Sequence, residues 1–304
     1  MERAKRVTIK EVGPRDGLQN EKGVLQTSDK VALINELSET GLRHIEITSF
    51  TNPRWIPALA DAVEVAQQIK RVPGIVYSAL VPNQRGLVRA LEANIDEVAV
   101  FMSASETHNQ KNINKSIQDT YPIFEKVVKD ALGCGKSVRG YVSMVFGCPY
   151  EGTVKIDAVV RVAEKLFEMG VQELSLGDTI GIANPHQVQV VLSTLLRYFD
   201  KDKLAMHFHD THGTALANIL TSIDMGITTF DSSIGGSGGC PYAPGASGNV
   251  ATEDLHYMLS GMGIHTGLNR NKLLDAAILL QNKLGKQLPS HSLQVCNAGI
   301  QAVS

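Results

Sequence analysis

Cysteine is scarce in this chain: four in 304 residues, at Cys134, Cys148, Cys240 and Cys296, with no two in C-x-x-C spacing. That excludes a disulfide scaffold and a paired-cysteine zinc site, and it fits a reducing compartment. Long apolar runs are also missing. Nothing approaches the roughly 18 consecutive apolar residues of a membrane-spanning helix. Charge of one sign is lacking too: 29 basic residues against 31 acidic ones leave a net charge of −2. No general basic field draws the chain to nucleic acid or to acidic membranes. The first six residues are charged and lead straight into a strand-like run. They lack the apolar core of a secretory signal and the length of a transit peptide, so a cytoplasmic location is expected.

What is present is a globular composition, 43% hydrophobic and 20% charged, able to bury a sizeable core. Short β-branched runs alternate with amphipathic ones. Strands are predicted over 7–12, 44–48, 75–80, 97–101, 138–143, 173–176, 204–210 and 229–232. Helices are predicted over 27–39, 56–70, 84–93, 113–132, 156–169, 185–198 and 214–225, with a last one closing near 259. Thr27-Ser28-Asp29 is expected to cap the first helix. Eight strand-then-helix units in about 250 residues imply parallel strands joined by right-handed crossovers, hence a (β/α)8 TIM barrel. A doubly wound sheet usually carries a glycine-rich phosphate loop after its first strand. Here that place holds Gly13-Pro14-Arg15-Asp16-Gly17. The expected division is a catalytic barrel over 7–268 and a C-terminal helical extension and tail over 269–304.

In such barrels the chemistry sits at the C-terminal ends of the strands. The seventh strand carries His207 and His209, two apart and so facing one way. Alone, such a pair reads equally as half a metal site or as two half-buried histidines. Asp16 after the first strand and Asn249 after the eighth add a carboxylate and an amide oxygen at the same mouth. These donors, without thiolate, suit Mg²⁺ or Mn²⁺ better than structural zinc. Arg15 supplies a permanent charge on a planar fork, or else a structural ion-pair partner. Glu46 and Asp178 stand near strand ends, and a carboxylate in the position of Asp178 can simply cap the next helix. The stretch 234–245 holds five glycines. Such a loop is either flexible or approaches a ligand closely. Cys240 within it reads as a mobile acid, base or nucleophile. Cys148-Pro149-Tyr150 echoes Cys240-Pro241-Tyr242 and offers the competing cysteine.

The segments Gly13-Pro14-Arg15-Asp16-Gly17-Leu18-Gln19-Asn20, His207-Phe208-His209-Asp210-Thr211 and Gly238-Gly239-Cys240-Pro241-Tyr242-Ala243 closely resemble the 3-hydroxy-3-methylglutaryl-CoA lyases. Ser103-Ala104-Ser105-Glu106 and Lys111-Asn112-Ile113-Asn114 resemble that family as well, and the resemblance runs from about Val7 to Leu288. It implies cleavage of an acyl-CoA substrate to acetyl-CoA and acetoacetate, as in leucine degradation and ketone-body formation. It further implies Asp16, His207, His209 and Asn249 as ligands of the divalent cation, and Arg15 as the group stabilising enolate charge. Cys240 and His207 are implied in proton transfer, with Glu46, Gln19 and Asp178 supporting. Lys22, Lys111 and Asn112 are implied for the CoA portion. The family usually has leucine where this chain has Ser237, a departure that concerns loop packing rather than chemistry. A homodimer paired through outer helices is expected. The competing readings are a Claisen-type synthase or aldolase on the same scaffold, and a silent metal- or CoA-binding module.

Overall fold

Period-two strands and amphipathic helices each have one apolar side to hide, and here they hide it against one another. The computed structural model describes residues 4–21, 23–239 and 247–299. Lys22 and Cys240, both singled out above, lie outside the described residues. The elements run β1 (Thr8–Glu11), α1 (Thr27–Ser38), β2 (His44–Ser49), α2 (Ala62–Gln68), β3 (Val76–Leu80), α3 (Gln84–Glu92), β4 (Glu97–Ser103), α4 (Glu106–Ile113), α5 (Ile117–Gly133) and β5 (Ser137–Ser143). They continue with α6 (Ile156–Glu168), β6 (Glu173–Asp178), α7 (Pro185–Leu195), β7 (Leu204–Phe208), α8 (Ala215–Asp224), β8 (Thr229–Ser232), α9 (Thr252–Gly261), α10 (Arg270–Leu284) and α11 (His291–Asn297).

The eight strands pair in sequence order into a closed, parallel barrel. β8 closes onto β1 from Thr8 opposite Thr229 to Glu11 opposite Ser232. Ile9, Ile45, Val98, Val138, Leu174 and Phe230 are fully or almost fully buried in one apolar layer with Leu33 and Leu37 of α1, Val127 of α5, Leu166 of α6 and Ile219 of α8. Each such side chain contributes about 1.5–3 kcal/mol on burial. Leu273, Ala276, Ala277 and Leu280 of α10 join the same core. Among the described residues no helix is long and apolar enough to cross a membrane.

Several local expectations need correction. α1 begins after Gln26 with no side-chain cap; Thr27 Oγ1 instead donates to Asp61 Oδ2 at 2.7 Å. The helix expected over 56–70 is a 3-10 turn, Pro57–Leu59, followed by the shorter α2. The helix expected over 113–132 is α5, which starts at Ile117 under a Ser116 cap, and an unexpected helix, α4, precedes it and ends where Asn114 turns left-handed at φ 55°. β7 stops at Phe208. His209 lies one residue beyond it, in an isolated bridge to Asn249.

Candidate active site

The site starts from a turn. After β1 the segment Gly13–Gly17 makes one π-helical turn. Buried Glu11 fixes its entry, since one carboxylate oxygen accepts from Gly13 N at 2.7 Å and from Ile234 N at 2.9 Å, and the other accepts from Thr252 Oγ1 at 2.6 Å. The turn aims Arg15 and Asp16 at the barrel mouth. Arg15 donates to Glu46 Oε2 at 2.7 Å and to Asp16 Oδ1 at 2.5 Å. Its guanidinium lies 5.4 Å from the centre of the Tyr141 ring. Burial alone weakens the charged form of Arg15, but Glu46 and Asp16 outweigh it and hold the group protonated. Burial pushes the Glu46 carboxyl up against the pull of Arg15, and its Oε1 has no hydrogen-bond partner among the described residues.

Asp16 meets His207 of β7 and His209 just beyond it. Its Oδ2 lies 3.8 Å from Nε2 of His207 and 3.8 Å from Nε2 of His209. One ligand atom from each of the three side chains falls within 4.8 Å of the others. A carboxylate oxygen and two imidazole nitrogens at this spacing fit one divalent cation. His209 Nδ1 is buried without a partner among the described residues. Burial, then the neighbouring His207, brings the His209 pKa down to about 4, so the ring stays neutral with a lone pair to offer. Burial pushes the Asp16 carboxyl up, yet Arg15 and the two imidazoles bring it down to about 2.

Asn249 donates from Nδ2 to Asp16 Oδ2 at 2.8 Å and to the Ser237 carbonyl at 3.1 Å, so its amide oxygen is not used in either contact. Gln19 donates to Asp16 Oδ1 at 3.3 Å. Asp178 is placed differently. Its carboxylate accepts from the backbone of Ile182 and Ala183, both at 3.0 Å, staples the loop after β6, and is pushed up to about 6 by burial. Gly177 and Thr179 on either side line the cavity instead.

A cavity of about 1000 Å³ opens over these groups, lined by Arg15, Asp16, His207 and His209 at its floor and by Trp55, Lys111 and Asn112 farther out. Lys111 Nζ sits 4.4 Å from the Tyr150 ring centre. The glycine-rich stretch begins against the Arg15–Asp16 turn. A Cβ on Gly17 would collide with Ser237 Oγ, and one on Gly238, at φ +91°, would stand 3.0 Å from the Asp16 carbonyl. Gly17 leaves room for the side chains of Ser237 and Ser233, and Gly238 for the backbone of Asp16 and Gly17. Ser237 is buried with its hydroxyl 2.7 Å from that of Ser233.

Sequence reasoning missed the layer below. Arg139 and Tyr141 of β5, Ser175 of β6 and Asp231 of β8 form a polar barrel interior where branched apolar layers are usual. Arg139 Nη2 donates to Asp231 Oδ1 at 2.7 Å and Tyr141 OH to Glu46 Oε2 at 3.0 Å. The available signal was an arginine and a tyrosine two apart within an otherwise apolar strand.

A family model described as HMGL-like matches residues 6–280. The chain is 60% identical to hydroxymethylglutaryl-CoA lyase YngG of Bacillus subtilis, over 96% of this chain and 97% of the relative. A crystal structure of the Bacillus subtilis HMG-CoA lyase superposes with a TM-score of 0.97 at 59% identity, covering 98% of this chain and 100% of that one. An HMG-CoA lyase from Acinetobacter baumannii, in complex with coenzyme A and 3-methylmalate, superposes with a TM-score of 0.92 at 38% identity, covering 99% and 98%.

Proposed function

The chain belongs to the HMG-CoA lyase family, and from that premise we infer that it cleaves 3-hydroxy-3-methylglutaryl-CoA to acetyl-CoA and acetoacetate. The observation that carries the reading is the meeting of Arg15, Asp16, His207 and His209 at one barrel mouth. It is a carbon–carbon lyase of the retro-Claisen type.

The residues divide the work as follows. Asp16, His207 and His209 would hold a divalent cation, with the Asn249 amide oxygen as a fourth ligand; Mg²⁺ and Mn²⁺ both suit this donor set. When bound, the cation lowers the pKa of the substrate's tertiary hydroxyl and fixes its geometry. Asp16 takes the hydroxyl proton. The oxygen's electron pair becomes the new ketone, the bond between C2 and C3 breaks, and its pair spreads onto the thioester oxygen as an enolate. Arg15, held by Glu46, faces that oxygen, and one donor so placed is worth about 2.7–4 kcal/mol in comparable sites. Cys240 then protonates C2 to give acetyl-CoA. Gln19 and Asp178 support the site, the latter by holding the loop after β6.

Lys22, Lys111 and Asn112 are assigned to the CoA portion, as the coenzyme A complex of the Acinetobacter relative supports in kind. The enzyme acts in the cytoplasm, as a homodimer paired through outer helices. Purified protein incubated with Mg²⁺ or Mn²⁺ and 3-hydroxy-3-methylglutaryl-CoA releases acetoacetate. Metal affinity with no acetoacetate sinks the proposal and leaves a silent binding module.

A further inference from the structure

We propose that Asp231 is a positioning residue: it keeps the proton of His207 on Nδ1 and thereby presents a bare Nε2 to the metal position beside Asp16. This rests on the lyase reading above for its purpose, not for its geometry. β7 and β8 pair with His207 opposite Asp231, and His207 Nδ1 lies 3.2 Å from Asp231 Oδ2. The carboxylate is 1% exposed. Besides His207 it takes Arg139 through both oxygens, at 2.7 and 3.2 Å, and Ser175 Oγ at 2.7 Å. Arg139 is itself anchored, donating from Nε to Glu173 Oε1 at 2.6 Å, while Lys10 Nζ donates to the same oxygen at 2.8 Å. Asp231 therefore has little freedom to turn away from the histidine.

The chemistry follows from donor and acceptor count. An ionised carboxylate accepts and does not donate. Arg139 donates to both oxygens of Asp231 and Ser175 to one of them, the contacts of a carboxylate paired with a guanidinium. Nδ1 must then be the donor, and a neutral imidazole has one N–H. Nε2 is left with its lone pair. It stands 3.8 Å from Asp16 Oδ2, too far for a hydrogen bond and close enough for both atoms to share a cation. Carboxylates behind ligating histidines commonly act in this way. His209 is not so instructed, because its Nδ1 has no partner among the described residues. With a metal on Nε2, the His207 ring has no nitrogen left to take a proton, so in the loaded site the ligand role excludes the proton-carrying one.

The test begins with metal-free protein carrying ¹⁵N-labelled histidine, the His207 signals being assigned by comparison with His207→Asn. The wild type shows the proton on Nδ1 and a bare Nε2. Asp231→Asn, checked for folding by circular dichroism, loses that preference, and its Mn²⁺ affinity by electron paramagnetic resonance falls about 10–100-fold. A wild-type His207 protonated on Nε2 overturns the inference, and so does a folded Asp231→Asn with unchanged tautomer and Mn²⁺ affinity. Where Asp231→Asn fails to fold, the wild-type tautomer alone decides. Absence of acetoacetate from the wild type would remove the lyase reading and leave the tautomer result standing.

Discussion

Arg15 has two carboxylates and one aromatic face to hold it, and that ties its charge to a single direction over the cavity floor. Arg15→Met removes the group proposed to meet the enolate while leaving the carboxylate of Asp16 and the imidazoles of His207 and His209 in place. The expected outcome is a loss of about 10²–10³ in kcat with Mn²⁺ still bound. Acetoacetate assays beside Mn²⁺ titration check it, and near-normal turnover would rule out the enolate role. The two cysteines separate at the same scale. Cys148 is buried, and its sulfur accepts from Ser105 Oγ at 3.0 Å and from Tyr150 N at 3.4 Å. Cys148→Ala therefore costs stability, about 0.5–3 kcal/mol by urea unfolding, and spares kcat. Cys240→Ala lowers kcat and spares stability; the opposite pattern would mean that Cys148 is the catalytic thiol. Much of the floor was legible in the sequence, because Arg15, Asp16, His207 and His209 come in short local motifs. The layer beneath was not. Arg139 and Asp231 stand 92 positions apart, and Tyr141 and Glu46 stand 95 apart, so their pairing follows from barrel closure and leaves no spacing to read.

Among the elements, strands and long amphipathic helices were legible because their period shows. α4 was not, since Glu-Thr-His-Asn-Gln-Lys-Asn-Ile has no apolar stripe. Its start rests on Ser105, whose side chain accepts from His108 N at 3.1 Å. His209 was read as strand, yet it keeps its direction through the bridge to Asn249 after β7 has ended. The described ends of the glycine-rich stretch pack against the Arg15–Asp16 turn, where Gly17 leaves room for Ser237. A prediction belongs to that junction. Ser237→Leu forces a larger side chain into a buried place beside Gly17 and breaks the bond to Ser233. The expected cost is about 1–3 kcal/mol of unfolding free energy, with weaker Mn²⁺ binding because the Ser237 carbonyl also holds Asn249. Denaturation and Mn²⁺ titration of the variant measure both; unchanged stability would show that the loop root is looser than its contacts imply.

Over the whole molecule, burial sets two opposing trends of stability with pH. His44, His108 and His209 are each held down to about 4 from 6.5, burial being the first cause. Between those values the unfolded chain binds more protons, so their contribution to stability rises with pH and is complete above about 6.5. Glu11 is pushed up from 4.5 to about 7 and Glu253 from 4.5 to about 8, again first by burial. For these the folded chain binds more protons, and stability is lost as pH rises from 4.5 through the folded value. From pH 4.5 to 6.5 the two trends offset each other. Above 6.5 the histidines have nothing further to add, and the two glutamates remain. Each proton still retained in the folded state but lost from the unfolded one lowers the unfolding free energy by about 1.4 kcal/mol per pH unit. Stability is therefore expected to fall between pH 6.5 and 8, with the last part of the fall due to Glu253. Glu253→Gln keeps an acceptor for Gly235 N, which bonds to Glu253 Oε2 at 3.0 Å, and removes the titration. Urea unfolding of both proteins across that range should show a flatter profile for the variant. A wild type that does not weaken from pH 6.5 to 8, or a variant that weakens as steeply, would mean that Glu253 is already ionised in the fold.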